Sequence, residues 1–146
     1  METEGAREIL CVSEGDRAYA FELGDILEIC PDLQVTTMPC LTRWYQGVAN
    51  YKGTIIPIVT LEQPKEGQKR MEKRIVLVSR CAGKLLGIAA FGDLFMLRTD
   101  QMDKVRLPEN LEESEVWTEK EVFRKDDLLV TLIDMEKSVE NLVIYK

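Results

Sequence analysis

The sequence predicts a single all-β domain with a few short helices. Short runs rich in Val, Ile, Leu, Tyr and Phe recur along the chain, and turn residues such as Gly, Asn and Asp separate them. No helical pattern of about 10 to 15 residues lies between these runs, which argues against a parallel β-α-β architecture and for barrels or a sandwich. A chain of 146 residues fits one domain and buries roughly two-thirds of its unfolded surface.

The first part of the chain predicts a hairpin followed by two shorter elements. In EILCVSEGDRAYAFEL, two apolar segments meet at Glu14-Gly15-Asp16, where the glycine permits the backbone of a tight turn. In GDILEIC, the apolar spacing fits either a single helical turn or a short strand, which Pro31 ends. LQVTTMP is a short strand candidate that Pro39 closes.

The stretch GVANYKGTIIPIVTL, residues 47–61, predicts a second hairpin. The tetrapeptide Asn50-Tyr51-Lys52-Gly53 separates two apolar runs as a turn, in which Asn tolerates left-handed geometry and Gly allows a positive φ. Pro57 has no backbone donor, so its strand is expected at a sheet edge or with a bulge at that point. Gly47 is expected to permit the close approach of another backbone.

The second half of the chain predicts further strands and a terminal helix. RIVLVSR and KLLGIAAFGDLFMLRT are β-rich runs joined by a hairpin signal at residues 81–84, and DDLLVTLIDM gives one more strand after a charged turn. In MEKSVENLV, the apolar residues recur at helical spacing. The following letters, LVIYK, fit a strand as well as the end of this helix. The helical positions are Met135, Val139, Leu142 and Val143.

Charge and composition exclude several classes of partner. The net charge of -7 and the pI of about 4.8 repel phosphate backbones and anionic lipid headgroups. The basic segment Lys65–Arg74 is interleaved with Glu66 and Glu72, which is typical of a solvated loop. Apolar runs stop at about seven or eight residues, short of the roughly 20 that cross a bilayer. The first residues, METEGARE, are polar and acidic, whereas a secretory signal would be basic and then apolar. We therefore expect a cytoplasmic protein that binds no nucleic acid and does not insert into a membrane.

The residue types predict no catalysis, no cofactor and no metal. Because the chain has no histidine, it cannot form a Ser-His-Asp triad or a Cys-His dyad. Neither G-x-x-x-x-G-K-[ST] nor G-x-G-x-x-G occurs, and the four cysteines lack the close pairs of a zinc site. The carboxylate pairs Asp126-Asp127 and Glu112-Glu113 are expected to be solvated.

An alternative of another class is a thiol-based enzyme or redox sensor. Cys30 and Cys40 lie beside Pro31 and Pro39 in expected loops, and Arg43 is the basic residue close to Cys40. A reactive cysteine needs its pKa lowered by such a cation or by a helix N-terminus.

The pattern G-V-x-N-x-[RK]-G-x-x-x-P-[IV]-[VI]-x-L, present at residues 47–61, resembles the signature of the CheW-like domain, the bacterial chemotaxis coupling-protein family. AFELGDILEI resembles the family's strand that runs into a one-turn helix ending in E-I, here Glu28-Ile29. Trp44 occupies the aromatic position three before Gly47. LLGIAAFGDLFML and DDLLVTLIDMEKSV resemble the later strands and the closing helix, so the resemblance covers residues 8 to about 140.

This resemblance implies one domain, residues 1–146, built from two packed five-stranded β-barrels with a boundary near residues 62–73 and strands that can exchange between them. It implies a non-catalytic adaptor without a cofactor. Its partners would be the cytoplasmic helical tip of a chemoreceptor and the regulatory domain of a CheA-type histidine kinase, in membrane receptor arrays. An apolar groove between the barrels would receive an amphipathic receptor helix.

The resemblance also nominates two sets of partner-binding residues. For the aliphatic members, plain core packing is the alternative, and for the two glycines it is backbone geometry alone. For Glu28, Tyr51 and Lys52, which are expected to be exposed, the alternative is solvated surface without a binding role. The receptor groove would contain Ile26, Glu28, Ile29, Gly47 and Val48, and the hairpin would contribute Asn50, Tyr51, Lys52 and Gly53.

Four positions depart from the family pattern. Lys52 stands where Arg is usual, and an ammonium cannot reproduce the bidentate fork of a guanidinium. Thr60 replaces an Asp, Thr42 replaces a Pro, and Phe91 occupies a position that is often Asp. These departures leave open a divergent scaffold that binds only one of the two partners.

Overall fold

The protein is described by a computed structural model, which covers residues 5–38, 44–62, 74–109, 114 and 116–144. In these residues the chain forms eleven strands, two single 3₁₀ turns and one α-helix, so the predicted all-β class is confirmed. The elements are β1 (Glu8–Glu14), β2 (Arg17–Glu22), β3 (Ile26–Cys30), β4 (Tyr45–Tyr51), β5 (Thr54–Thr60), β6 (Ile75–Cys81), β7 (Lys84–Ala90), β8 (Leu94–Arg98), β9 (Asp103–Val105), β10 (Thr118–Lys125), β11 (Leu128–Asp134) and α1 (Met135–Ile144).

The strands form two sheets. One has six strands in the order β8-β1-β2-β11-β10-β9, and the other has five in the order β3-β6-β7-β5-β4. Neighbouring strands are antiparallel except β2 with β11 and β5 with β7. The two-sheet architecture agrees with the expectation, although the short strand β9 gives one sheet a sixth member.

The chain passes from one sheet to the other twice. It leaves the six-stranded sheet after β2, through the 3₁₀ turn Leu23–Asp25, and returns to it between β7 and β8. Residues 63–73, which hold most of the expected boundary, lie outside the described residues. The strands on either side of them, β5 and β6, belong to the same sheet. The division into two barrel subdomains stays a prediction.

Left-handed residues close the predicted hairpins. Gly15, with φ 65°, lies between β1 and β2, and Ala82 and Gly83, with φ 52° and 77°, lie between β6 and β7. Asp126 has φ 55° in the turn between β10 and β11, where it and Asp127 are exposed as expected. The hairpin predictions between β1 and β2 and between β6 and β7 are confirmed, because each turn joins strands that pair with each other. The charged turn expected before β11 is also present, and it joins β11 to β10, a strand that was not predicted.

Three local expectations are wrong. The one-turn helix expected to end at Glu28-Ile29 lies earlier, at Leu23–Asp25, because pairing with β6 draws residues 26–30 into a strand. LQVTTMP forms no strand in its described part, and only Thr36 makes an isolated bridge, to Val48. Pro57 lies in an interior strand, and the nearby irregularity belongs to β4. The proline is tolerated because the ladder from β5 to β7 begins one residue later.

The described residues form three apolar clusters, and alternating residues of one strand belong to different clusters. In β1, Leu10 and Val12 belong to a central cluster that joins the two sheets. Ile9 and Cys11, on the other face of β1, belong to a cluster inside the six-stranded sheet. A third cluster lies inside the five-stranded sheet and includes Tyr51. Both faces of the central strands are therefore buried.

Polar contacts tie the terminal segments to this core. The buried indole N–H of Trp117 donates to the carbonyl oxygen of Thr60 at 2.9 Å, which links the approach to β10 with the end of β5. Helix α1 matches the predicted terminal helix. Asp134 caps it by accepting the backbone N–H of Lys137 at 3.1 Å.

Within the described residues, no helix combines the length and apolar character that a bilayer crossing needs.

The central cluster predicts where the fold is most sensitive. Replacing Ile88, which has 0% exposure, by Ala should lower the unfolding free energy by about 2–5 kcal/mol, because the change leaves a cavity between the sheets. The control is Ile55→Ala at a side chain that is 63% exposed, where we expect a loss below about 1 kcal/mol. Urea unfolding of both variants makes the comparison. Equal losses would mean that the central cluster does not hold the sheets together.

Candidate partner-binding site

The hairpin between β4 and β5 has a two-residue turn. Lys52 and Gly53 both have positive φ, 50° and 88°, as the type I′ turn of a tight hairpin requires. Asn50 lies in β4 and not in the turn, and its side-chain oxygen accepts the backbone N–H of Gly53 at 2.8 Å. The predicted hairpin is confirmed, but Lys52 takes the left-handed position expected of Asn50.

Three of the nominated residues meet at one carboxylate. The hydroxyl of Tyr51 donates to Oε1 of Glu28 at 2.6 Å. The ammonium of Lys52 lies 3.3 Å from the same oxygen and 5.4 Å from the centre of the Tyr51 ring. We call Glu28, Tyr51 and Lys52 the carboxylate cluster. It combines a residue of the proposed groove with two residues of the proposed hairpin.

The carboxylate cluster joins the two edges of the five-stranded sheet. Glu28 belongs to β3 and Tyr51 to β4, which stand at opposite ends of the strand order. A hydrogen bond between them therefore brings the edges together, and the interior cluster packs Cys30 of β3 with Tyr51. The sheet curls on itself, and the unpaired groups of its edge strands are less available to other chains.

The electrostatics of the carboxylate cluster favour its charged form. Hydrogen bonds from Tyr51 and then from Lys52 lower the pKa of Glu28 below its usual value. The same bonds to Glu28 raise the pKa values of Tyr51 and Lys52. Near neutral pH the site therefore presents one carboxylate and one ammonium side by side, and the phenol stays protonated as a donor.

Gly47 and Val48 are held by a backbone contact with the segment before β4. The N–H of Val48 donates to the carbonyl oxygen of Thr36 at 2.9 Å, and the N–H of Thr36 donates back to Val48 at 2.8 Å. A Cβ added at Gly47 would overlap the Thr36 carbonyl oxygen and lie 2.8 Å from its carbon. The expected close approach of another backbone is confirmed, and it explains glycine at this buried position.

The nominated aliphatic residues divide between core and surface. Ile26 packs, partly buried, against the central cluster. Ile29 is 44% exposed, and it pairs with Leu77, a member of the central cluster. Val48 is half-buried, and its neighbour Ala49 points into the interior cluster. Strand alternation therefore places Ile29 and Val48 on the outer face of the five-stranded sheet, the face on which the central cluster lies.

Ile55 joins this outer face and was not nominated. It is the most exposed of the large apolar side chains in the described residues, and it follows the hairpin turn opposite Asn50. Its neighbours Ile56 and Ile58 point into the interior cluster, so Ile55 points outward. Strand alternation within TIIPIV places one of the two consecutive isoleucines outside and the other inside. Because both are apolar, the sequence does not show which of them is exposed. We call Ile29, Val48 and Ile55 the outer apolar row.

The described residues of the site include no metal-binding cluster and no activated thiol. No set of three or more His, Cys, Asp or Glu side chains suited to a metal ion occurs in the part of the chain that the structure describes. Burial and then the charge of Glu28 raise the pKa of the Cys30 thiol, so it is not a thiolate at neutral pH. Cys40, the other residue of the thiol hypothesis, lies outside the described residues. The geometry is suited to binding.

Comparisons with known proteins identify the family. Residues 8–142 match the family model described as the CheW-like domain. A protein from Helicobacter pylori named chemotaxis protein CheW is 26% identical over 125 residues, which cover 84% of this chain and 75% of the relative. Another of the same name, from Rhizobium meliloti, is 26% identical over 89 residues, 59% of this chain and 57% of the relative.

A solved structure shares the fold. The crystal structure of the scaffolding protein TtCheW from Thermoanaerobacter tengcongensis superposes with a TM-score of 0.68 at 18% sequence identity. The match covers 91% of this chain and 87% of that one. Since the family model spans nearly the whole sequence and the arrangement of strands agrees, the chain belongs to the CheW-like domain family.

Proposed function

We propose that the protein is a non-catalytic chemotaxis adaptor, which couples the cytoplasmic helical tip of a chemoreceptor to the regulatory domain of a CheA-type histidine kinase. It acts in the cytoplasm, where it joins membrane receptor arrays without entering the bilayer. Support comes from its family and from relatives named chemotaxis protein CheW. In this proposal the two sheets are two barrel subdomains.

The observation that carries the proposal is the outer apolar row. Ile29 and Ile55 expose 44% and 63% of their surface on the face that elsewhere forms the central cluster. An amphipathic receptor helix would lay its apolar anchors against this row, at the margin between the sheets, and so extend the central cluster outward. Two nominated residues would support the apolar row indirectly. Ile26 packs against the central cluster, and Gly47 allows the close backbone contact with Thr36 beside Val48.

The carboxylate cluster and its hairpin supply a polar contact next to the apolar row. Lys52 exposes 72% of its side chain and Glu28 exposes 42%, so a partner can reach both charges. Asn50 and Gly53 define the shape of the turn that presents them. Charges at the rim of an interface contribute mainly to orientation and to the association rate, and apolar contacts supply most of the affinity.

Separate titrations with a receptor-tip fragment and a kinase regulatory domain test the function. We expect the chain to bind each of them. Binding to one alone would identify the single-partner scaffold instead, and binding to neither would refute the adaptor proposal.

Replacing Ile29 by Asp should lower the affinity for the receptor tip at least about tenfold, because a carboxylate in an apolar contact loses its hydration without gaining a partner. The matched control is Met96→Asp, at a side chain of equal exposure, 45%, on the six-stranded sheet. Calorimetric titration of both variants gives the comparison. If the two substitutions weaken binding equally, the outer apolar row is not the receptor contact.

Replacing Lys52 by Glu should weaken partner binding while the fold remains intact. The substitution puts two carboxylates together at an exposed site, where solvent screens their repulsion, so the unfolding free energy should change little. Lys84→Glu, at another exposed hairpin lysine of the same sheet, is the control. The affinity of each variant for both partners is measured by titration, and a urea unfolding curve of each variant shows whether the fold is intact. Unchanged affinities would remove Lys52 from the site.

Replacing Gly47 by Asp should abolish stimulation of the kinase in a reconstituted array. Any Cβ there overlaps the Thr36 carbonyl, so the two segments must separate and the surface at Val48 must change. Gly24→Asp is the control, because a Cβ at Gly24 has open space around it. Kinase autophosphorylation with and without receptor is the measurement. Normal stimulation by the Gly47 variant would contradict this account.

A further inference from the structure

Two donors of different character share one oxygen of Glu28. The Tyr51 hydroxyl approaches it to 2.6 Å and the Lys52 ammonium to 3.3 Å. Tyr51 is 8% exposed, and its ring packs in the interior cluster of the five-stranded sheet. The Lys52 ammonium is carried by a long and mostly exposed side chain. Packing therefore fixes the position of the hydroxyl, and nothing comparable fixes the ammonium.

Tyr51 also contacts the other charged member. The ammonium of Lys52 lies 5.4 Å from the ring centre of Tyr51, within the range of a cation–π interaction. Tyr51 is thus the one residue of the carboxylate cluster that is anchored in the interior, and it holds each charge in a different way. An isolated exposed pair of a lysine and a glutamate has little preference for one geometry.

We propose that Tyr51 is a positioning residue, which holds the Glu28 carboxylate and the Lys52 ammonium in the arrangement that a partner protein meets. This inference rests on the proposed function and deepens it. Because its side chain is nearly buried, Tyr51 acts through its two neighbours. Its hydroxyl supplies a donor in a fixed position, which the freely rotating N–H groups of an ammonium do not, and a guanidinium at position 52 would provide two donors in one rigid plane by itself.

This chemistry defines a rescue experiment. Tyr51→Phe keeps the ring and removes only the hydroxyl, so Glu28 loses its shorter hydrogen bond. Adding Lys52→Arg to that variant gives Glu28 a planar donor with two N–H groups. The control is Tyr45→Phe, the same change in the same strand, where the hydroxyl donates to the Leu142 carbonyl at 3.3 Å.

The first measurement needs no partner. Carbon chemical shifts of the Glu28 carboxylate, followed against pH in the full-length labelled protein, report its pKa. We expect Tyr51→Phe to raise the pKa of Glu28, the double variant to bring it back down, and Tyr45→Phe to leave it unchanged. Cys30, whose thiol interacts electrostatically with Glu28 and Lys52, is retained in every variant.

The second measurement titrates the same proteins with the receptor tip and with the kinase regulatory domain. We expect Tyr51→Phe to weaken binding of at least one partner by roughly fivefold, since a hydrogen bond to a charged group is lost, and Lys52→Arg to restore it to within about twofold. Recovery of the affinity distinguishes positioning from simple packing, because the added arginine repairs the carboxylate contact and not the core.

Three results would overturn the proposal. The first is a Glu28 pKa in Tyr51→Phe that equals the pKa in the native protein. The second is an unchanged affinity for both partners in Tyr51→Phe although the pKa of Glu28 rises. The third is an affinity that remains low in the double variant although the pKa of Glu28 has recovered. The last result would mean that the Tyr51 hydroxyl contacts the partner directly. If the native protein binds neither partner, the proposed function has failed, and the pKa comparison alone still decides whether Tyr51 holds Glu28.

Discussion

Strands such as β1 bury side chains on both faces, so neither sheet is complete without a second apolar layer. The central cluster meets this requirement by joining the two sheets, and the clusters inside the two sheets cover the opposite faces. Part of the apolar surface of the five-stranded sheet remains exposed, at Ile29 and Ile55. Both residues belong to the outer apolar row, and exposed apolar surface is typical of sites of protein association.

The five-stranded sheet must also protect its edge strands. β3 and β4 occupy its two ends, and the bond from Tyr51 to Glu28 brings them together. The same Glu28 oxygen lies beside the exposed Lys52 ammonium, so the contact between the edges includes a charged pair at the surface. In the proposed function, one set of side chains would both protect the sheet edge and present charges to a partner, so a change at Glu28 or Tyr51 would affect both.

Local chemistry made part of this structure predictable from the sequence. Turn residues predicted the hairpins, helical spacing predicted α1, and Gly47 predicted a close backbone approach. Strand pairing depends on residues far apart in the chain, which explains why the parallel pair of β2 with β11 and the interior position of Pro57 were not foreseen. The family resemblance nominated Glu28, Tyr51 and Lys52 one by one. Their contact at a single oxygen requires the curl of the sheet, which no local pattern encodes.

An adaptor must hold both partners at once, so the most direct measurement is the mass of complexes formed by this protein, a receptor-tip fragment and a kinase regulatory domain together. We expect a ternary complex in analytical ultracentrifugation, and we expect the kinase-bound protein to bind the receptor tip about as tightly as the free protein does. Mutually exclusive binding, in which each partner displaces the other, would contradict the claim that this chain couples them.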